Sequence, residues 1–288
     1  MTQSHTIKRL GVVGSGIMGS GIAEVAAKAG IEVVLRSRHL QTAEGMVAAM
    51  DRSLAKQVEK GKLDEKDRKA VLSRVIPTAS FEDLADCDLV IESVVEDLEV
   101  KKHLFRDLDH HCRPDTILAT NTSTLPVVEM AVETGRPDKV CGVHFFNPAP
   151  MMSLVELVQP LTASEETMRS VHDFVLACGK QPVTVQDRAG FVVNALLFPY
   201  LNNAVRMLEQ GTASRDDIDA AMKGGCNFPM GPFALLDLVG LDTSLAILEA
   251  LYDEFRDPNY APVPTLKRMV AAGRLGRKSG HGFYDYRK

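Results

Sequence analysis

The stretch Lys8–Gly19, KRLGVVGSGIMG, decides the fold: an apolar run feeds straight into a glycine-rich turn and then into an amphipathic pattern. Gly14, Gly16 and Gly19 hold the G-x-G-x-x-G spacing. In that spacing the first glycine permits a tight turn, the second lets a pyrophosphate approach the backbone, and the third lets the helix pack on the strand. A helix is predicted over Ile17–Ala29, with Ile17 and Met18 in the first turn, where free N–H groups aim at phosphates. Gly30 and a second strand at Glu32–Leu35 follow. This order of strand, turn, helix and strand predicts a dinucleotide site rather than an accidental glycine-rich loop.

The end of the second strand departs from the NAD pattern, which places Asp or Glu about 20 residues past the glycines to hold the ribose 2′-hydroxyl. Arg36, Ser37 and Arg38 stand there instead, and the next carboxylate is Glu44. A carboxylate repels a 2′-phosphate, whereas serine donates to it and arginine pairs with it. Ser37 and Arg38 are therefore expected to favour NADP(H) over NAD(H). The plainer alternative leaves the arginines solvated at a strand end. Arg36 is kept outside the expected phosphate set, since a residue at a strand end can point away from the ribose.

A chain of 288 residues has room for two domains with cores of their own. A net charge of −5, with Lys and Arg spread along the chain, gives no support for a nucleic-acid partner. The five cysteines are scattered and never form C-x-x-C, so neither a disulfide framework nor a metal site is expected, and a reducing, cytoplasmic setting fits. The segment MTQSHTIKRL lacks the apolar core of a signal peptide. No apolar run reaches the ~18 residues of a membrane span.

Strand-like and helix-like segments alternate to about residue 187. Helices are expected at Gln41–Lys60, Asp64–Ser73 and Glu165–Cys178. Strands are expected at Val75–Thr78, Leu89–Glu92, Ile117–Thr120, Val140–Phe145, Leu154–Gln159 and Pro182–Val185. Such alternation predicts a Rossmann-type, doubly wound α/β sheet over residues 1–188, its later strands an antiparallel addition joined through Asn147-Pro148-Ala149-Pro150. An all-α domain over 189–288 is expected next, with helices at Phe191–Gln210, Asp216–Lys223, Phe233–Phe255 and Pro264–Ala272. Pro199 should kink or break the first of these. One late strand is expected at Phe283–Tyr286.

Three places carry candidate chemistry. NTSTL (Asn121–Leu125) follows a strand, where ligands of open α/β sheets bind, so Asn121 and Ser123 are placed to touch cofactor or substrate; a plain turn or helix cap is the alternative. His144 closes the apolar strand Val140–Val143, and Glu156 lies inside LVELV, where an unpaired carboxylate is costly. If the intervening link folds these strands back to back, the two form a proton-transfer unit; otherwise His144 is a satisfied core residue. Ser53, Lys56 and Lys60 recur at helical spacing and offer a hydroxyl and two ammonium groups to a phosphorylated ligand, or form a solvated helix face.

The segments GSGIMGSGIA, ESVVEDLEVK, NTSTL, HFFNPAP, LVELV, DRAGFVVNALLFPYLNNA, NFPMGPFALLDLVGLD and GRKSGHGFYDY span essentially the whole chain. In order and density they resemble the short-chain L-3-hydroxyacyl-CoA dehydrogenases, most closely the bacterial 3-hydroxybutyryl-CoA type. The resemblance implies His144 as catalytic base, Glu156 as its partner, and Ser123 and Asn194 as hydrogen-bonding residues at the reacting centre. It further implies cofactor contacts at Glu96, Lys101 and Asn121, coenzyme A contacts at Ser53, Lys60 and Lys278, and a homodimer formed through the helical domain. Asn194 and Lys278 also read as a polar surface position and a tail lysine. The implied reaction interconverts (S)-3-hydroxybutyryl-CoA and acetoacetyl-CoA. Other 3-hydroxyacyl thioesters, a sugar acid, or a non-catalytic nucleotide-binding or structural role remain as alternatives. NAD-type members of this family usually carry Asp where Ser37 stands here.

Overall fold

In β1 (Arg9–Val13) Leu10 through Val13 are all buried, without polar alternation, as expected for a strand covered on both faces. The computed structural model describes residues 6–287, and these fall into two units that divide between Asp187 and Arg188. In the first unit β1 is followed by α1 (Ile17–Lys28), β2 (Glu32–Arg36), α2 (Leu40–Glu59), α3 (Glu65–Ser73) and β3 (Val75–Thr78). Next come β4 (Leu89–Glu92), α4 (Leu98–His111), β5 (Ile117–Thr120), α5 (Val127–Ala131), β6 (Val140–Phe145), β7 (Leu154–Gln159), α6 (Glu165–Ala177) and β8 (Gln181–Gln186).

The eight strands lie in the order β3-β2-β1-β4-β5-β6-β7-β8. Strands β1 to β6 pair in parallel, β7 is antiparallel to β6, and β8 is parallel to β7. The later strands are thus the expected addition, reversed against the rest. The order switches direction between β1 and β4, and the loops leaving these two strands open the crevice where sheets of this kind take ligands.

Helix α4 was not expected between β4 and β5. Its signal is nevertheless regular: Lys101, Leu104, Phe105 and Leu108 are its buried residues, at the i, i+3, i+4, i+7 spacing, and Asp97 caps it by accepting from Val100 N at 3.0 Å. A lysine at the first of these positions hides the stripe, since its burial depends on partners described below.

The second unit comprises α7 (Val193–Glu209), α8 (Arg215–Cys226), α9 (Pro232–Val239), α10 (Leu241–Phe255) and α11 (Pro264–Ala271), around a core that includes Phe198, Leu201, Phe233, Leu241 and Leu248. Pro199 does not break α7, which runs on through it with Phe198, Pro199 and Leu201 buried; packing of that face outweighs the lost backbone hydrogen bond. The single helix expected at Phe233–Phe255 is two helices. Gly240, at φ +103°, lies outside helical geometry and separates them. The strand expected at Phe283–Tyr286 is absent among the described residues. Phe283 N and Tyr284 N each donate to the Asp237 carboxylate at 2.8 Å, so their hydrogen bonds go to a side chain rather than to a neighbouring strand. Among the described residues no helix is long and apolar enough to cross a membrane.

Candidate active site

A cavity of about 630 Å³ lies at the switch point, lined by the turn after β1, the end of β2 and the loop after β4. Gly14 has φ +141°, and a Cβ there would lie 2.2 Å from the Ser93 carbonyl oxygen, so only glycine lets these two loops touch. A Cβ on Gly19 would lie 2.6 Å from the Gly14 carbonyl oxygen, which fixes the close seat of α1 on the turn. A Cβ on Gly16 would meet nothing within 4 Å; it faces open space. Gly16 also caps α1 without a side-chain bond, and the first turn carries no acid. The helix therefore presents backbone donors and a partial positive charge to an anion, which fits a dinucleotide pyrophosphate.

Gly14, Gly16, Ser37 and Arg38 line this cavity. Ile17, Met18, Gly19, Glu96, Lys101, Asn121 and Ser123 are not among its lining residues. Arg36, kept outside the expected phosphate set, lines it as well. Its guanidinium lies 3.7 Å from the Phe81 ring centroid and Nε donates to Ala79 O at 3.3 Å, a sideways anchor that a strand-end pattern does not reveal. Sequence reasoning also missed Phe81, Val100, His103 and Asp107, which line the cavity from the β3–β4 connection and α4. Burial lowers the pKa of the Arg36 guanidinium, and the nearby charge of Asp107 works against that shift without cancelling it.

The second cluster is on the far side of the sheet order. His144 on β6 and Glu156 on β7 are direct register partners, and Nδ1 of His144 meets Glu156 Oε2 at 2.8 Å. Both are buried, 5% and 1% exposed. A carboxylate only accepts, so Nδ1–H is the donor and Nε2 is left as the basic nitrogen. Asn121 Oδ1 accepts from Phe145 N at 2.8 Å, which ties the loop after β5 to the residue next to His144.

That loop is also held by a chain of charged side chains. Glu96 Oε1 accepts from Ser123 N at 2.8 Å and from Thr122 Oγ1 at 2.6 Å, while Glu96 Oε2 lies 3.3 Å from Lys101 Nζ. Lys101 Nζ also pairs with Glu92 Oε1 at 2.6 Å. Glu92 in turn accepts from Val94 N and Thr120 Oγ1, both at 2.6 Å. Glu92 and Lys101 are fully buried, so Lys101 stands between two carboxylates and positions Glu96 and, through it, Ser123.

Ser53 and Lys56 are exposed on α2, and Lys60, also exposed, is the residue that caps its C-terminal end. In the second unit Asn194 is 8% exposed in the first turn of α7, not a surface position. Lys278 Nζ donates to Asp242 Oδ2 at 2.7 Å, so this tail lysine is held in place. Among the described residues no group of three His, Cys, Asp or Glu is placed to hold a metal ion. Burial pushes the thiols of Cys87, Cys141 and Cys178 up to about 12, which leaves them without thiolate character.

Gly-loop cavity and histidine–carboxylate pair on one sheet are the combination of a nicotinamide-dependent dehydrogenase. Residues 9–188 match the family model "3-hydroxyacyl-CoA dehydrogenase, NAD binding domain", and residues 190–286 match "3-hydroxyacyl-CoA dehydrogenase, C-terminal domain". The chain belongs to this family of oxidoreductases. It is 49% identical over 280 residues to the 3-hydroxybutyryl-CoA dehydrogenase of Clostridioides difficile, covering 97% of this chain and 100% of that one. Its fold is similar to the crystal structure of FadB2 from M. tuberculosis, with TM-score 0.96 and 47% identity over 98% of this chain and 100% of that one. The (S)-3-hydroxybutyryl-CoA dehydrogenase PaaH1 of Ralstonia eutropha is equally similar in fold, TM-score 0.96, at 42% identity over 98% and 100% of the two chains.

Proposed function

We propose that this chain carries out reversible hydride transfer between (S)-3-hydroxybutyryl-CoA and a nicotinamide cofactor, giving acetoacetyl-CoA, with NADP(H) favoured over NAD(H). The observation that carries the reaction is the buried His144–Glu156 pair, formed by facing positions of β6 and β7. A bound nicotinamide supplies the acceptor or donor of the C3 hydride. In oxidation His144 Nε2 takes the proton of the 3-hydroxyl, and Glu156 holds Nδ1 and stabilises the imidazolium. In reduction the imidazolium returns that proton to the 3-oxygen. Ser123, whose backbone Glu96 fixes, holds the oxygen as charge develops on it, and Asn194 keeps the hydrogen-bonding role that the family resemblance implies. The names of the relatives support the four-carbon acyl group. A cytoplasmic homodimer, paired through the helical unit, belongs to the same reading. An absorbance assay at about 340 nm with acetoacetyl-CoA, run in parallel with NADH and NADPH, tests the reading. No oxidation of either cofactor overturns the reaction.

For the coenzyme A handle, Lys56 and Lys60 are the proposed contacts of the phosphate groups, with Ser53 beside them. Replacing both lysines with alanine is expected to raise KM for coenzyme A substrates and to matter much less for a truncated pantetheine ester. Added salt should mimic the change. Equal effects on the two esters would make these lysines ordinary surface charge.

Cofactor preference is supported by the cavity wall. Ser37 and Arg38 line it, and no carboxylate stands beside them in sequence before Glu44. A charge-assisted hydrogen bond is worth about 1.5–3 kcal/mol, which corresponds to roughly ten- to hundredfold. A higher kcat/KM with NADPH than with NADH is therefore expected, with reversal toward NADH in Ser37→Asp/Arg38→Ile. Wild-type kinetics that favour NADH would sink the preference and leave the reaction standing.

A further inference from the structure

The two arginines at the end of β2 are not equivalent. Arg38 is exposed, and ordering it on a ligand costs side-chain freedom. Arg36 is already ordered: Nε is bonded to Ala79 O and the guanidinium plane rests on Phe81. The platform is itself braced. Phe81 stacks on His111, with ring centroids 5.1 Å apart and planes at 25°, and His111 Nδ1 meets the carbonyl oxygen of Asp107 at 2.8 Å. The last turn of α4 thus steadies Phe81, and Phe81 steadies Arg36. Among the described residues neither terminal nitrogen of Arg36 makes a hydrogen bond, and Arg36 lines the cavity beside Ser37.

We propose that Arg36, rather than Arg38, is the principal anchor of a 2′-phosphate in this cavity, with Phe81 as its positioning residue. This rests on the NADP(H) reading above and names the group that carries it. Pre-organisation is the reason Arg36 outweighs its neighbour: its fork is fixed before the ligand arrives, so little freedom is lost on pairing. Ser37 adds a donor next to it. Asp107 opposes both, since it lies close enough to interact with Arg36 and would repel a phosphate.

The test is isothermal titration of the full-length chain with two probes, 5′-AMP and 2′,5′-ADP, which differ by the 2′-phosphate alone. The wild type should bind 2′,5′-ADP the more tightly. Arg36→Leu should cut that preference by about tenfold or more, the lower end of a lost charge-assisted bond, and leave 5′-AMP affinity nearly unchanged. Arg38→Leu should cut it by less. Phe81→Leu keeps the guanidinium, removes its platform and should give an intermediate loss, whereas Asp107→Asn should raise the preference. Retained 5′-AMP binding shows that each variant is folded, and Arg36→Gln serves if Arg36→Leu is not. A larger loss in Arg38→Leu than in Arg36→Leu overturns the proposal. So does an equal loss for both probes in Arg36→Leu, which would make Arg36 a platform for the adenine ring. A wild type that does not prefer 2′,5′-ADP overturns the NADP(H) reading together with the proposal. A clear wild-type preference that survives Arg36→Leu overturns the proposal alone.

Discussion

His144→Gln is expected to lower turnover by about 10²–10⁴-fold while cofactor affinity changes little. The imidazole is buried, and Glu156 directs its proton-exchanging nitrogen by holding the other one at 2.8 Å. Glutamine keeps a polar group of similar reach but cannot cycle a proton. The cofactor cavity is lined by residues on β1, β2, β4 and α4 and their loops, not on β6 or β7, so dinucleotide binding should survive. Glu156→Gln preserves the shape of the pair and removes the negative charge that favours the imidazolium. Its deficit should appear in kcat more than in KM. Steady-state kinetics with acetoacetyl-CoA, paired with cofactor titration by fluorescence, checks both variants. Near wild-type turnover in His144→Gln would remove the histidine from the mechanism, and an unchanged rate in Glu156→Gln would reassign that residue to structure.

The parts of the fold legible in the sequence are those where local chemistry and tertiary packing agree. Lys8–Gly19 is such a place, because a parallel strand covered on both faces reads as an apolar run and the turn after it admits only glycine where Ser93 approaches. His144 and Glu156 were legible for a related reason: a carboxylate within an apolar strand needs a partner, and the short link between the strands limits where that partner lies. Failures occurred where a side chain replaces a backbone partner or a pattern carries a misleading residue. The tail Phe283–Tyr286 has strand-like alternation, yet Asp237 takes its N–H groups. Helix α4 was missed because a lysine occupies its buried stripe, and only Glu92 and Glu96, far from obvious as its partners, explain why it is there. Phe81 and Asp107 reach the cofactor cavity from segments distant in the chain, so no spacing rule near the glycines points to them. Gly240 falls inside the single helix expected at Phe233–Phe255, and its positive φ is what separates α9 from α10.

The same buried lysine yields the second large effect. Lys101→Met is expected to destabilise the first unit by about 3–5 kcal/mol, because it leaves Glu92 charged in the interior with its ionic partner gone. Methionine fills most of the lysine's volume, so packing loss is small and the cost is electrostatic. Glu92 keeps Val94 N and Thr120 Oγ1 as donors, which limits the penalty but does not neutralise the carboxylate. Lys101→Met/Glu92→Gln removes both charges, keeps an amide oxygen as an acceptor beside Val94 N and Thr120 Oγ1, and should recover a large part of the loss, since no unpaired charge is then left in the interior. Catalysis should not recover with it. Glu96 loses the ammonium 3.3 Å away in both variants, and with it the brace on the carboxylate that accepts from Ser123 N. Urea unfolding followed by circular dichroism gives the stabilities, and kcat on the folded fraction gives the activity. A loss below about 1 kcal/mol in Lys101→Met would mean that water or a shifted side chain compensates Glu92, and the pair would then have the weight of a surface ion pair. If the double variant regained full turnover as well as stability, Lys101 would be a purely structural residue, and the positioning of Ser123 would have to come from Thr122 and Glu96 alone.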